Sequence, residues 1–320
     1  MLKIAITLLV FWFVFRGVDF ANLREVLRHQ DKTILILGGF LLLVQLVIGA
    51  FRWDIILRAL SDKTEAVLSK SKALKIYYIS TFFTCCLPGA VGGDVVRVWL
   101  TKSQHISLPV SINSVVIDRM IALFALVIMV MLTMPILGSA LGFSASLILP
   151  LVTLAIVMGV IFIFYAEKIL SPFKSLRIVH WILHLVAGIR LILKKPKSSF
   201  VALAMALIGQ VVYSVVAWVL ACSLSINMSL TQSITLMPPV MLATMLPISI
   251  GGWGVREVGI IGMLGIIGVP QASALLLSLQ LGLLGVVISL PGSLFWLGDR
   301  KKYSHSIMQP PNNPSYSNPS

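Results

Sequence analysis

The sequence predicts an all-α polytopic membrane protein: an inverted-topology repeat of two halves, with about six full spans and two broken or re-entrant helical hairpins. Three observations predict it. The chain of 320 residues is 58% hydrophobic and only 11% charged, where a soluble domain carries about 25% charged residues, and its mean hydropathy is +1.00. Apolar runs of membrane-spanning length recur along it. A phrase of the form LP-x-x-x-GG-x-x-V-R is written twice, as LPGAVGGDVVR at 87–97 and as LPISIGGWGVR at 246–256.

A spanning helix needs about 20 apolar residues. The runs 1–16, 33–51, 115–137, 147–166, 200–222 and 272–297 meet or approach that length. The first resembles a secretory signal in its Lys and apolar stretch. It lacks a small-x-small cleavage site and is rich in bulky aromatics, so it reads as a retained span. Two further apolar stretches, 74–100 and 234–270, are each broken near the middle by Pro and Gly.

Charge orients the spans. Lys and Arg crowd 52–75, 167–199 and the residues after 297, which places these segments in the cytoplasm. The links 138–146 and 223–233 carry no charge and read as external; the link 17–32 is mixed. With the N-terminus inside, parity makes 74–100 begin and end inside and 234–270 begin and end outside. Each half then runs span, span, broken hairpin, span, over about 1–140 and 141–300, in opposite orientations. Many secondary transporters share this arrangement. Pro88 and Pro247 are 159 residues apart, so the phrase recurs at the corresponding place in each half. Parity is the same for a re-entrant hairpin and for a pair of short crossings. One membrane domain covers 1–302, with both termini cytoplasmic. The Pro/Asn/Ser-rich 303–320 reads as a disordered tail, and 178–195 as an interfacial helix.

Composition also excludes functions. The net charge is +14. In a soluble chain that would point to nucleic acid; here it marks cytoplasmic loops and anionic headgroups, and no nucleic-acid partner is expected. Cys85, Cys86 and Cys222 lie in apolar runs without ligand spacing, and the five histidines are scattered, so neither a metal nor a cofactor is expected. No Walker loop or dinucleotide fingerprint is present, which argues against nucleotide-driven pumping.

The repeated phrase suits an anion site. Pro88, Gly89, Pro247 and Gly254 break helix. After Gly92–Gly93 and Gly251–Gly252 a helix can restart, with unpaired amides facing a phosphate. Arg97 and Arg256, four residues beyond the second glycine, can add a bidentate contact. Asp94 and Glu257 allow two readings. In one, Asp94 caps a helix and Glu257 neutralises an arginine. In the other, they exchange protons or compete with phosphate for the arginines. Arg52, Asp118 and Arg119 are supporting charges in or near spans, while Arg58 reads as an interfacial anchor beside Trp53.

The stretches FRWDIILRAL, LPGAVGGDVVRVWL, SVVIDRMIAL and LPISIGGWGVREVGI resemble, in that order, the recurring motifs of the lysylphosphatidylglycerol synthase transmembrane-region family, also called flippase-like membrane proteins. The resemblance covers about residues 1 to 300. It implies a multi-pass inner-membrane protein that moves anionic or lysinylated phospholipids, or polyprenyl-linked glycolipids, between leaflets. Bifunctional members carry a soluble aminoacyl-transferase domain after the membrane region. No such domain follows here, so lysyl-lipid synthesis is not expected. The leading expectation is therefore a lipid translocator and not an enzyme, with membrane lipids as partners. Its headgroup site comprises Gly92, Gly93, Asp94, Arg97, Gly251, Gly252, Arg256 and Glu257. Two rivals stand beside it. One is a non-transporting partner of a cell-envelope biosynthetic enzyme, docked through 167–199. The other is an integral-membrane lipid transferase with Asp94, Asp118 and Glu257 as bases.

Overall fold

Helix starts and stops are written locally. The Asp31 carboxylate accepts the Thr33 N–H at 2.8 Å and opens α1, Lys32–Leu60. Ser229 and Gln232 form a reciprocal capping box, at 3.1 and 2.7 Å, that opens α6, Leu230–Thr244. Pro196 begins α5, Pro196–Ser223, where its missing N–H costs nothing. Gly252 and Gly254 have φ of +82° and +90°. That left-handed backbone suits glycine and turns the chain into α7, Val255–Gly265. The remaining helices are α2 (Lys70–Cys86), α3 (Gly92–Lys102), α4 (Leu108–Leu141), α8 (Gln271–Ser289) and α9 (Pro291–Met308). This computed structural model describes residues 31–61, 68–86, 92–141, 186–191, 193–245 and 252–308, with positions 165 and 183.

Four described segments are long and apolar enough to cross a membrane: Lys32–Leu60, Leu108–Ile136, Pro196–Ser223 and Gln271–Asp299, the last running through the α8–α9 junction. They correspond to the runs expected at 33–51, 115–137, 200–222 and 272–297. The expected spans 1–16 and 147–166 lie outside the described residues, apart from position 165. α1 continues past residue 51 to Leu60, taking FRWDIILRAL into the helix and burying Arg52, Trp53 and Asp54. Charge had marked that stretch as loop; ion pairing with neighbouring helices lets it stay inside. α9 reaches Met308, into the segment read as a tail, and 309–320 lie outside the described residues. Of the expected interfacial helix 178–195, the turn 186–191 packs one face on the bundle and leaves Leu191 exposed. Val186 is buried, and Gly188 lies against Asn113 and Ile117 of α4.

The helical order repeats. A long helix, a short one, an eleven-residue helix and a long one run as α1 to α4 and again as α5 to α8. Gly92 to Val255, and Leu108 to Gln271, are the same interval of 163 residues. Packing repeats with it. α2 packs on α1 and α3, as α6 does on α5 and α7. α3 packs on α4, as α7 does on α8. α6 rests on α4, as α8 and α9 rest on α2. α1 and α5 meet each other over the longest interface and run antiparallel. Lys195 Nζ at the start of α5 donates to the Ala59 carbonyl at the end of α1 (2.6 Å). At the other end, Gly38 faces Leu220, whose Cδ2 would lie 2.8 Å from an added Cβ. With lipid as solvent, close van der Waals fit of this kind holds helices together.

Two apolar clusters make up most of the core. Val216, Leu220, Met237, Val240, Ile260, Leu264, Leu277 and Leu281 of the second half share one cluster with Leu42 of α1. Trp53, Leu57, Ile76, Ile79 and Leu100 share another. In the first hairpin, Gly93 presses directly on α2: a Cβ there would collide with the Ser80 carbonyl and Thr84 Oγ1. α9 and the end of α8 are clamped across α2. The Tyr78 hydroxyl donates to the Ile288 carbonyl at 2.5 Å, Lys75 pairs with Asp299 at 2.6 Å, and Phe83 meets Trp296 edge-on at 5.5 Å.

Gly93→Ala should therefore destabilise the fold by about 1–3 kcal/mol or more, because backbone atoms cannot step aside. Gly262→Ala, with nothing within 4 Å of the added carbon, should be neutral or slightly stabilising. Melting temperatures of both variants in one detergent check this pair.

Candidate functional site

The first half holds a network of five charges, of which Arg52, Arg97 and Asp118 are buried. Asp118 on α4 is 2% exposed. It accepts Arg52 Nε from α1 at 2.7 Å on one oxygen and Arg97 NH1 from α3 at 3.1 Å on the other. Arg97 also donates Nε to Ser80 Oγ at 3.1 Å, and its guanidinium lies 4.3 Å from the Tyr77 ring centre and 5.6 Å from that of Trp53. Trp53 is fixed in turn by donating Nε1 to Ser114 Oγ at 3.2 Å. Asp94, in the first turn of α3, takes a two-pronged bond from Arg119 of α4: Nε at 2.9 Å and NH2 at 3.1 Å. Arg97 NH2 stands 3.8 Å from the same carboxylate. Three guanidiniums thus face two carboxylates, a surplus of one positive charge. The side chains of Arg97 and Asp118 are 4% and 3% exposed, whereas that of Arg119 is 41% exposed. Arg119 uses Nε and NH2 on Asp94, and NH1 has no acceptor among the described residues.

Desolvating such charges is costly, and only pairing offsets it. The pairing here is shared: Asp118 has two cations and Asp94 has two. Asp54 and Arg58 form a separate pair at 2.8 Å, and Arg58 NH2 reaches the Leu68 carbonyl at 2.5 Å, which ties the end of α1 to the segment that leads into α2. Arg58, expected from the sequence as an interfacial anchor, serves here as a structural tie.

The second half carries a smaller, neutral cluster. Glu257 on α7 is fully buried. One oxygen accepts the Gly254 N–H; the other accepts Arg256 NH2 at 2.9 Å and Ser278 Oγ at 3.1 Å. The Arg256 guanidinium stacks 4.5 Å from the Trp253 ring centre and passes over Gly282, where any Cβ would collide with it.

The phrase copies hold different registers. Gly92 and Gly93 begin α3 itself, so Arg97 is its sixth residue. Gly252 and Gly254 lie in the turn before α7, so Arg256 is its second. Counted from the helix starts, the counterpart of Glu257 is Asp94: each is the third residue of its eleven-residue helix. Arg119 and Gly282 also correspond, each being the twelfth residue of its long helix. A guanidinium therefore sits beside the hairpin carboxylate in both halves. α4 supplies it in the first, and α7 supplies it in the second, in the space that Gly282 leaves.

Asp94 lies inside α3 rather than before it, and its side chain serves Arg119, not a cap. Glu257 both binds the Gly254 amide and neutralises Arg256. Arg97 and Arg256 share no bonding partner among the described residues. Pro88, Gly89, Pro247 and Gly251 lie outside the described residues. Sequence reasoning missed Tyr77, Ser80, Ser278 and Gly282, whose roles arise from packing between helices. No group of three metal-ligating side chains occurs among the described residues.

Long apolar helices, a doubled helical order and ionic groups held within the bundle define a multi-pass helical membrane protein. The chain belongs to the family described as Lysylphosphatidylglycerol synthase TM region, which it matches over residues 1–292. No curated protein matches it.

Asp118→Leu alone should leave two guanidiniums short of their carboxylate and cost about 3–5 kcal/mol, read as a fall in melting temperature. Gly282→Ala should push Arg256 off Trp253 and cost about 1–3 kcal/mol. Indole fluorescence of Trp253, with the other tryptophans replaced, reports the displacement.

Proposed function

We propose that the protein is a lipid translocator of the inner membrane, which carries an anionic phospholipid or polyprenyl-linked lipid between leaflets without altering it chemically. The observation that carries this reading is the five-charge network, with a buried Arg–Asp–Arg triad, one surplus positive charge and one partly exposed guanidinium, that of Arg119. Charges inside an apolar bundle are costly and mark substrate or ion pathways.

The architecture supports the same reading. Exchanging the halves maps α1 onto α5, and these two helices are antiparallel. An axis relating them would be perpendicular to both, in the membrane plane when they stand upright, which supports an inverted-topology repeat. At 1.5 Å per residue, α3 and α7 reach about 16 Å, α6 about 22 Å and α2 about 26 Å, all short of a hydrocarbon core of about 30 Å. This favours two re-entrant hairpins entering from opposite faces. Lys75, Asp299 and Lys72 with Gln104 gather at one end of the first hairpin, and the basic loops favour the cytoplasm for that end.

In this mechanism a headgroup phosphate docks on the free edge of Arg119 while its acyl or prenyl chains stay in lipid. Phosphate and Asp94 compete for the same guanidinium, so the carboxylate helps to release the headgroup. Rocking of one half against the other moves the opening between leaflets.

Proteoliposomes containing acyl-labelled phosphatidylglycerol test the reading through dithionite bleaching of each leaflet. The wild-type chain should speed exchange above protein-free vesicles, and Arg119→Gln should slow it by roughly tenfold or more. Equal exchange by both proteins would remove the proposed site. A changed lipid mass after incubation would point to a transferase instead.

A further inference from the structure

The two halves build one helical frame, yet they differ in charge at matched positions. By the interval of 163 residues, Arg97 corresponds to Ile260 and Asp118 to Leu281. Arg52 corresponds to Val215 or Val216, depending on which end of α1 and α5 is aligned, and is valine either way. Val216 and Ile260 are fully buried, Leu281 is 4% exposed, and the three share one apolar cluster. The second half thus fills with aliphatic side chains the place where the first half holds an Arg–Asp–Arg triad. Buried ion triads contribute no more stability than well-packed apolar side chains of similar volume. The frame does not call for the charges, so another demand accounts for them.

The carboxylates differ in the same sense. Asp94 is served by Arg119 and, at 3.8 Å, by Arg97. When Arg119 turns toward an incoming phosphate, Arg97 still neutralises Asp94. Glu257 has one guanidinium, that of Arg256. Moving it would strand a fully buried carboxylate. One guanidinium is releasable and the other is not.

We infer that headgroup recognition is one-sided: each chain binds a single phosphodiester anion of a membrane lipid, on Arg119 in the first half. Arg97 is a positioning residue that takes over Asp94. Arg52 and Asp118 anchor Arg97, and the Arg256–Glu257 pair is an internal brace with no part in binding. This rests on the lipid reading above and narrows it to one site and one charge.

Native mass spectrometry of the full chain in detergent tests it, with phosphatidylglycerol, zwitterionic phosphatidylcholine and inorganic phosphate as probes. Wild type should retain one phosphatidylglycerol in preference to phosphatidylcholine, and excess inorganic phosphate should not displace it. Arg119→Gln should weaken retention roughly tenfold to a hundredfold. The double variant Arg256→Gln, Glu257→Gln should retain lipid as wild type does. The triple variant Arg52→Val, Arg97→Ile, Asp118→Leu, which copies the second half, should melt no lower than wild type yet lose phosphatidylglycerol preference.

Loss of retention in the double variant with Arg119→Gln intact would overturn the one-sided assignment and leave the lipid reading standing. Absence of any preference in wild type would overturn the lipid reading itself. Displacement by inorganic phosphate at matched concentration would make the ligand a free anion. A triple variant that does not fold would show that the frame needs the triad.

Discussion

Asp118 is one carboxylate holding two guanidiniums from two other helices, deep in an apolar bundle. Arg52 reaches it from α1 and Arg97 from α3, so the contact joins the first span, the short hairpin helix and the long α4. Its neighbours follow from it. With Arg97 fixed by Asp118, by Ser80 and against the Tyr77 ring, Asp94 keeps a second cation within 3.8 Å. Arg119 can then serve two acceptors in turn. An isolated ion pair at this depth would be a cost with little return; a shared network has a spare donor and a reason to persist.

The second half shows how the same frame closes without that network. Its hairpin glycines supply left-handed backbone at Gly252 and Gly254, whereas Gly93 in the first hairpin lets two helices touch. Its arginine comes from the hairpin helix, and the facing long helix gives way with Gly282. Similar letters serve different mechanics in the two copies. The pairing that repeats is carboxylate beside guanidinium, carried by Asp94 with Arg119 and by Glu257 with Arg256.

The four described spans were legible because the bilayer demands about 20 apolar residues in a row, and runs such as 200–222 satisfy that without ambiguity. Their ends were not. FRWDIILRAL looks like the edge of a span because charge normally marks one, but its partners on α4 and α2 are remote in sequence. The repeated phrase drew attention to the right segments but not to the pairing of charges within them. Letters align at 159 residues, whereas the starts of α3 and α7, and of α4 and α8, align at 163, so Arg97 and Arg256 looked equivalent and Asp94 and Glu257 did not. SVVIDRMIAL did flag Asp118 and Arg119, since adjacent opposite charges in an apolar run demand partners. Ser278 and Gly282 left almost no trace, because the space one side chain leaves for another is a property of packed helices and not of spacing.

An electron cryomicroscopy map of the chain in lipid nanodiscs with thiophosphate-labelled phosphatidylglycerol tests the central claim most directly. Headgroup density within hydrogen-bonding distance of Arg119 NH1, with Arg256 still on Glu257, is the result this account predicts. Headgroup density on Arg256, or Arg119 and Asp94 sealed in a dry contact with lipid nowhere near, would contradict it.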